Sequence, residues 1–229
     1  MQLKLDVVNP TSVSDAAAEV RKAVGRLDIL INNAGLVDMS TIQESDPEKW
    51  WSVWEVNVKG PYLVAKYFLP LMLEEEDSLK QVITVSRYAR KKVFSTFPNN
   101  STANRPSSVG AHLIVPSLSA YQPSKLAVLR FTQFIDAEYA SQGITAITIH
   151  PGNILTEMAT AGEIPEELMF VFTENVELPA DTIVWLTSQK REWLGGRYVN
   201  VTWDMPQLEE KREAIVRGDG LKVKLDVDF

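Results

Sequence analysis

A tyrosine and a lysine lie four residues apart in Tyr121-Gln-Pro-Ser-Lys125. At that spacing they share one face of a helix. An ammonium beside a phenol favours the phenolate and lowers the tyrosine pKa toward neutrality. The pair then suits general acid or base work on a carbinol/carbonyl couple. The spacing alone is weak, because most such pairs sit on solvated helix faces. Its company adds weight. Asn32-Asn-Ala-Gly35 follows a short apolar run, and Asn57-Val-Lys-Gly60 sits in a long helical stretch. Ser108 lies thirteen residues before Tyr121, and Pro151-Gly152 closes another apolar run, with Thr156 four residues past the glycine.

Alternating strands and helices must position these residues. Leu3 to Val8 reads as a strand. Asn9 opens a helix over Val13 to Val24 that ends at Gly25. Leu27 to Ile31 has the apolar character of a buried parallel strand. Ser45 and Asp46 are candidate caps for a helix from Pro47 to Leu73, with proline in its first turn. Gln81 to Val85 reads as a strand, Ser124 to Ser141 as a helix stopped by Gly143, and Ile144 to Ile149 as another buried strand. Arg197 to Thr202 predicts a last strand, and Leu208 to Arg217 a helix within a charged tail. This alternation predicts an α/β class with a doubly wound parallel sheet. A dinucleotide-binding fold of this kind ordinarily carries a glycine-rich turn after its first strand, and no G-x-G-x-x-G occurs among the 11 glycines.

The 229 residues suit one ordinary domain with a full core. The net charge of -7 argues against a nucleic-acid binder. With no cysteine, disulfides, thiolate metal sites and thiol nucleophiles are excluded; with His112 and His150 the only histidines, no metal site is expected. No apolar run reaches membrane-spanning length, and Met1 to Thr11, without an apolar core, does not read as a secretory leader, so a cytoplasmic protein without a membrane partner is expected. Arg87 to Ser107 stands apart, with five basic residues, no acid and no period. It reads as an inserted loop in a domain spanning 1–204, followed by an extension over 205–229. The tryptophans at 50, 51 and 54 read as core or interface residues, and His150 as structural.

Taken in order, these motifs resemble the short-chain dehydrogenase/reductase family. LDILINNAG at Leu27 to Gly35 is especially close, and SAYQPSKLAVLR and REWLGGRYVNVTWD look most like fungal members. The resemblance implies a Rossmann-like fold and an NAD(P)-dependent oxidoreductase, with NADP slightly preferred over NAD. Its expected reaction interconverts an alcohol and a ketone on a small apolar substrate, in a setting such as fungal secondary metabolism. It implies that Tyr121 exchanges a proton with the substrate oxygen and that Lys125 tunes Tyr121 and holds the nicotinamide ribose. Ser108 would bond the substrate carbonyl, and Asn57 would support a water relay behind Lys125. Asp6 and Val7 match a strand end that meets adenine. Asn33, Ala34 and Gly35 would line the cofactor cleft. Pro151, Gly152, Ile154 and Thr156 match the loop that contacts the nicotinamide. Thr156 to Ala180 corresponds to the family's substrate loop. The helices carrying Asn57 to Leu73 and Tyr121 to Tyr139 correspond to those of its dimer interface, so a homo-oligomer is expected.

Ser86 competes with Ser108 for the substrate-facing serine. Deleting Arg87 to Ser107 joins the two as ITVS-SVGAHL, which reads like an ordinary family sequence, and only Ser108 keeps the thirteen-residue step to Tyr121. The family pattern also begins with a strand, glycine-rich turn, helix, strand and helix ahead of Asp6. The fold is therefore expected to be N-terminally incomplete, without the backbone cradle for pyrophosphate. This leaves a second reading open: a non-redox relative, either a pseudoenzyme or a cofactor-free binding or proton-transfer protein.

Overall fold

Why does the chain enter its first helix at residue 10? Asn9 is extended, and its side chain accepts from the amides of Thr11 and Ser12, satisfying donors that the first turn leaves free. Pro10 takes the position where a missing N–H costs nothing. Helix α1 then runs Pro10–Val24 and stops at Gly25, whose φ of 80° suits a residue without a Cβ. The computed structural model describes residues 1–86, 114–156 and 172–224. The expected insert, Ser108, His112 and much of the expected substrate loop lie outside these residues.

Strand β1 (Ile29–Asn32) follows, and Asp46 rather than Ser45 caps α2 (Pro47–Trp54). The single helix expected from Pro47 to Leu73 is divided by a π-helical turn over Glu55–Lys59, after which α3 spans Gly60–Leu73. Then come β2 (Gln81–Val85), α4 (Tyr121–Tyr139) and β3 (Thr145–His150). Helix α5 (Glu177–Thr187), strand β4 (Arg197–Asn200) and the short helices α6 (Met205–Glu210) and α7 (Arg212–Arg217) complete the described elements.

The four strands form one parallel sheet in the order β1-β2-β3-β4. The register pairs Leu30 with Val82, Ile83 with Ile147, and Ile149 with Val199. Alternate strand residues feed opposite faces. Val82 and Ala146 pack with Val13 and Ala17 of α1 and Leu63, Leu71 and Met72 of α3. Ile83, Ile147 and Ile149 pack with Leu186 of α5 and Leu208 of α6. Helices thus cover both faces of a parallel sheet, which is the doubly wound arrangement expected.

One expected strand does not form. Leu3 to Val8 joins no ladder. Strand amides need a neighbouring strand, and among the described residues none runs beside this segment. Local bonds hold it instead: Asp6 Oδ1 accepts from Val8 N at 3.0 Å, Ser12 Oγ from Asp6 N at 3.0 Å, and Asp6 O from Asn9 N at 3.2 Å. Val7 still reaches the core side, where its Cγ2 lies 3.1 Å from the position a Cβ would take on Gly60.

After α7 the chain turns back along β4. The Tyr198 amide donates to Leu221 O at 2.8 Å, and Arg130 on α4 donates to Val223 O at 2.9 Å. Asp219 meets Arg197, Lys222 and Lys224, and its carboxyl is lowered to about 2, chiefly by its hydrogen bond from Lys222.

Candidate active site

The expected groups gather at the carboxyl ends of β1, β2 and β3, where open α/β sheets place their ligand crevice. Tyr121 opens α4 and Lys125 lies one turn on, 6% and 5% exposed. The Lys125 Nζ stands 5.5 Å from the Tyr121 ring centroid. The spacing of the pair therefore does produce a shared face, directed toward the buried side of α4.

Asn57 lies in the π-helical turn and is 1% exposed. Such turns widen a helix and are frequent at functional positions. Its Oδ1 accepts from Leu36 N at 2.9 Å, while its Nδ2 donates to Leu36 O and to Ser124 Oγ, both at 2.9 Å. Ser124 Oγ in turn donates to Tyr121 O at 2.7 Å. One side chain thus ties the loop after β1 to the first turn of α4. Asn57 thus sits in a distorted helical turn and supplies polar support close to Lys125.

Gly35 sits at the centre. A Cβ there would lie 3.2 Å from Lys125 Nζ and 3.4 Å from Asn57 Oδ1. Asn33 and Ala34 are exposed beside it. Asn32, by contrast, is buried at the strand end. On the other flank, Gly152 has a φ of 85°, which turns the chain sharply after Pro151, and Thr156 N donates to Ile154 O at 2.9 Å. Asp6 is exposed, and Val7 is the closer of that pair to the core.

Ser86, at the end of β2, is 1% exposed, and its hydroxyl points at Lys125 O at 3.4 Å. It therefore contacts the backbone of the helix that carries Tyr121. Sequence reading missed Ser124, although it stands between Tyr121 and Lys125 in the motif. It also missed the contact of Trp50 Nε1 with Ser119 Oγ at 3.2 Å, which joins α2 to the approach of Tyr121. Trp50 stacks with Trp51 and Trp54, and Trp51 is largely exposed, so the expectation of a core position does not hold for it. An apolar pocket of about 700 Å³ lies between Thr41, Ile42, Val115, Leu118, Gln122 and Leu126. Its lining adjoins Tyr121 in sequence but includes neither Tyr121 nor Lys125, so this pocket is distinct from the hydrogen-bonded cluster.

These residues suit the nicotinamide-ribose end of a dinucleotide. The bare Gly35 leaves room at the Lys125 ammonium, and the exposed Asn33 and Ala34 lie beside it in the chain. Among the described residues no glycine-rich turn offers a matching cradle for pyrophosphate.

A parallel sheet covered on both faces, with a Tyr/Lys pair at its carboxyl edge, has the architecture of a dinucleotide-binding α/β fold. A family profile described as "short chain dehydrogenase" matches residues 1–103 and 106–166. Short chain dehydrogenase pigC of Monascus ruber is 45% identical over 226 residues, covering 98% of this chain and 67% of that protein. Short chain dehydrogenase citE, also of Monascus ruber, is 45% identical over 98% of this chain and 69% of its own length. Short chain dehydrogenase tazN of Aspergillus terreus is 42% identical over 100% of this chain and 47% of its own length. A gluconate 5-dehydrogenase from Burkholderia cenocepacia, solved with NADP and tartrate, shares the fold with a TM-score of 0.69 and 21% identity, over 86% of this chain and 71% of that one. The chain belongs to the short-chain dehydrogenase family.

Proposed function

We propose that the protein interconverts an alcohol and a ketone on a small, apolar substrate, using a nicotinamide cofactor. The observation that carries this reading is the linked cluster of Tyr121, Lys125, Ser124 and Asn57 around the bare Gly35. When bound, the cofactor supplies or accepts the hydride. The residues of the chain manage the proton. Tyr121 gives its phenolic proton to the substrate oxygen in reduction and takes it back in oxidation. The Lys125 ammonium favours the phenolate through charge and offers N–H donors to the ribose hydroxyls. Asn57 holds Leu36 and the α4 turn so that Lys125 faces Gly35. Asn33, Ala34 and Gly35 line one side of the cofactor, and Pro151, Gly152, Ile154 and Thr156 line the nicotinamide side. Ser108 orients the substrate carbonyl, and Asp6 and Val7 face the adenine end. NADP is slightly preferred over NAD, the setting is cytoplasmic, and a place in fungal metabolism fits the organisms of the relatives.

The exposed apolar face of α3 and α4 supports self-association. Tyr62 and Phe134 are 47% and 56% exposed, and Tyr62 packs edge-on against Phe131 at 6.4 Å. We infer a homo-oligomer built on this face.

The test is titration of the purified chain with NADPH and NADH, followed by turnover of small apolar ketones. Binding in the micromolar range is expected. Tyr121→Phe is expected to lower kcat by about 10²–10⁴-fold while leaving cofactor affinity unchanged. A wild-type chain that binds neither nucleotide, or a phenylalanine variant that keeps full turnover, overturns the reading.

A further inference from the structure

The loop after β3 is held from outside by a residue with no part in the chemistry above. Beyond His150 the chain turns at Gly152 and runs along Pro151 to Thr156. Residues 172–176 return against it. The Asn153 amide donates to Glu174 Oε2 at 2.8 Å, and the Glu174 amide donates to Asn153 O at 3.3 Å. Asn153 is 4% exposed. The contact is close: a Cβ on Gly152 would sit 3.1 Å from both Cβ and Cγ of Glu174. The carboxylate therefore closes a two-point clamp on the residue between Gly152 and Ile154.

We propose that Glu174 is the positioning residue of the nicotinamide-facing loop, acting through the Asn153 amide. The inference rests on the cofactor reading above. The physical reason is that a loop leaving a strand carries backbone groups without ladder partners. A hydrogen bond to a charged acceptor is about twice as strong as a neutral one. Fixing Asn153 fixes the backbone on both sides of it, which is where Gly152 and Ile154 meet the ring. Glu174 itself touches no reacting atom. Its effect is on how well the ring end of the cofactor is held, not on proton transfer.

Three variants and three nucleotides test this. Direct binding is measured for the reduced dinucleotide, for reduced nicotinamide mononucleotide, and for ADP-ribose, which lacks the ring. Glu174→Ala is expected to weaken the first two by about tenfold, the scale of one lost charged hydrogen bond. ADP-ribose should bind wild type and variant alike. Glu174→Gln keeps an oxygen that can accept the Asn153 N–H but loses the charge, so its affinities should recover to within about threefold of wild type. Glu174→Asp retracts the acceptor by one methylene and should repeat the alanine pattern in milder form, which preserves the test if the alanine variant does not fold. Wild-type binding with no selective loss in the alanine or aspartate variant, or with glutamine as damaging as alanine, overturns the role of Glu174 alone. A wild-type chain that binds neither ring-bearing nucleotide overturns the cofactor reading and this inference with it.

Discussion

Replacing Asn57 with alanine tests whether the π-helical turn is the support on which the site depends. The side chain makes three hydrogen bonds, and the groups they serve differ in access to water. Ser124 is fully buried, so its hydroxyl oxygen would lose the Asn57 donor with no ready replacement. An orphaned buried group costs about 1–3 kcal/mol. The Leu36 amide and carbonyl lie in partly buried surroundings, where water recovers part of the loss, so each contributes about 0.5–1.5 kcal/mol. Because the bonds share one side chain, they do not add fully, and a loss of about 3 kcal/mol is expected. That is a large share of the stability of an ordinary domain. Urea unfolding followed by tryptophan fluorescence reads it well, since Trp50, Trp51 and Trp54 directly precede the turn. A double-mutant cycle with Ser124→Ala should give a coupling of about 1 kcal/mol, because the two side chains are in contact. An Asn57→Ala variant within 0.5 kcal/mol of wild type, on the scale of an ordinary surface substitution, or a coupling near zero, would refute the reasoning.

Three further outcomes follow from the same geometry. Gly35→Ala should fold normally, because the atom it crowds is the far end of a flexible lysine, yet lower kcat by about 10²-fold through displacement of the ammonium; unchanged steady-state turnover counts against the placement of Lys125. Burial pushes the Asp136 carboxyl above its ordinary value, opposed by the Ala146 amide and by Lys222 and Arg197. A raised carboxylate binds its proton more tightly folded than unfolded, so it costs stability above the folded pKa and that cost disappears as the pH falls through it. Wild type should therefore gain on Asp136→Asn between neutral pH and about pH 4 in paired thermal melts, and a widening deficit would contradict this. If the proposed homo-oligomer forms, Phe134→Glu should give a smaller species by light scattering; a wild-type monomer would remove the basis for the interface.

Much of this architecture could be read from residue types because local and global signals agreed. Buried parallel strands show as short apolar runs, so β1, β2, β3 and β4 were found within a residue or two. Asn9 and Gly25 announced the ends of α1 through backbone groups that side chains or a left-handed φ must satisfy. The Leu3 to Val8 segment has the right alternation but no neighbour, and alternation carries no information about partners. The division of the long helix at Glu55 was invisible for a related reason: a π-helical turn changes the hydrogen-bond step without changing which residues are apolar. Tyr121 and Lys125 stood out through their four-residue spacing, and Asn57 through a motif that matches the family pattern. Glu174 was not, since a glutamate twenty-one residues from Asn153 carries no local sign of the amide it will accept.

The return of the chain along β4 has a practical corollary. Parallel sheets end in a row of amides and carbonyls that can recruit foreign strands, and the Tyr198 amide is closed off by Leu221. The same segment reaches Arg130 on the helix that carries Tyr121. Trimming the chain before Gly218 would unmask a sticky border and slacken that helix in a single cut. Precipitation on storage and falling turnover should then set in together, and a shortened chain that stays clear and active would argue that the segment is merely decorative.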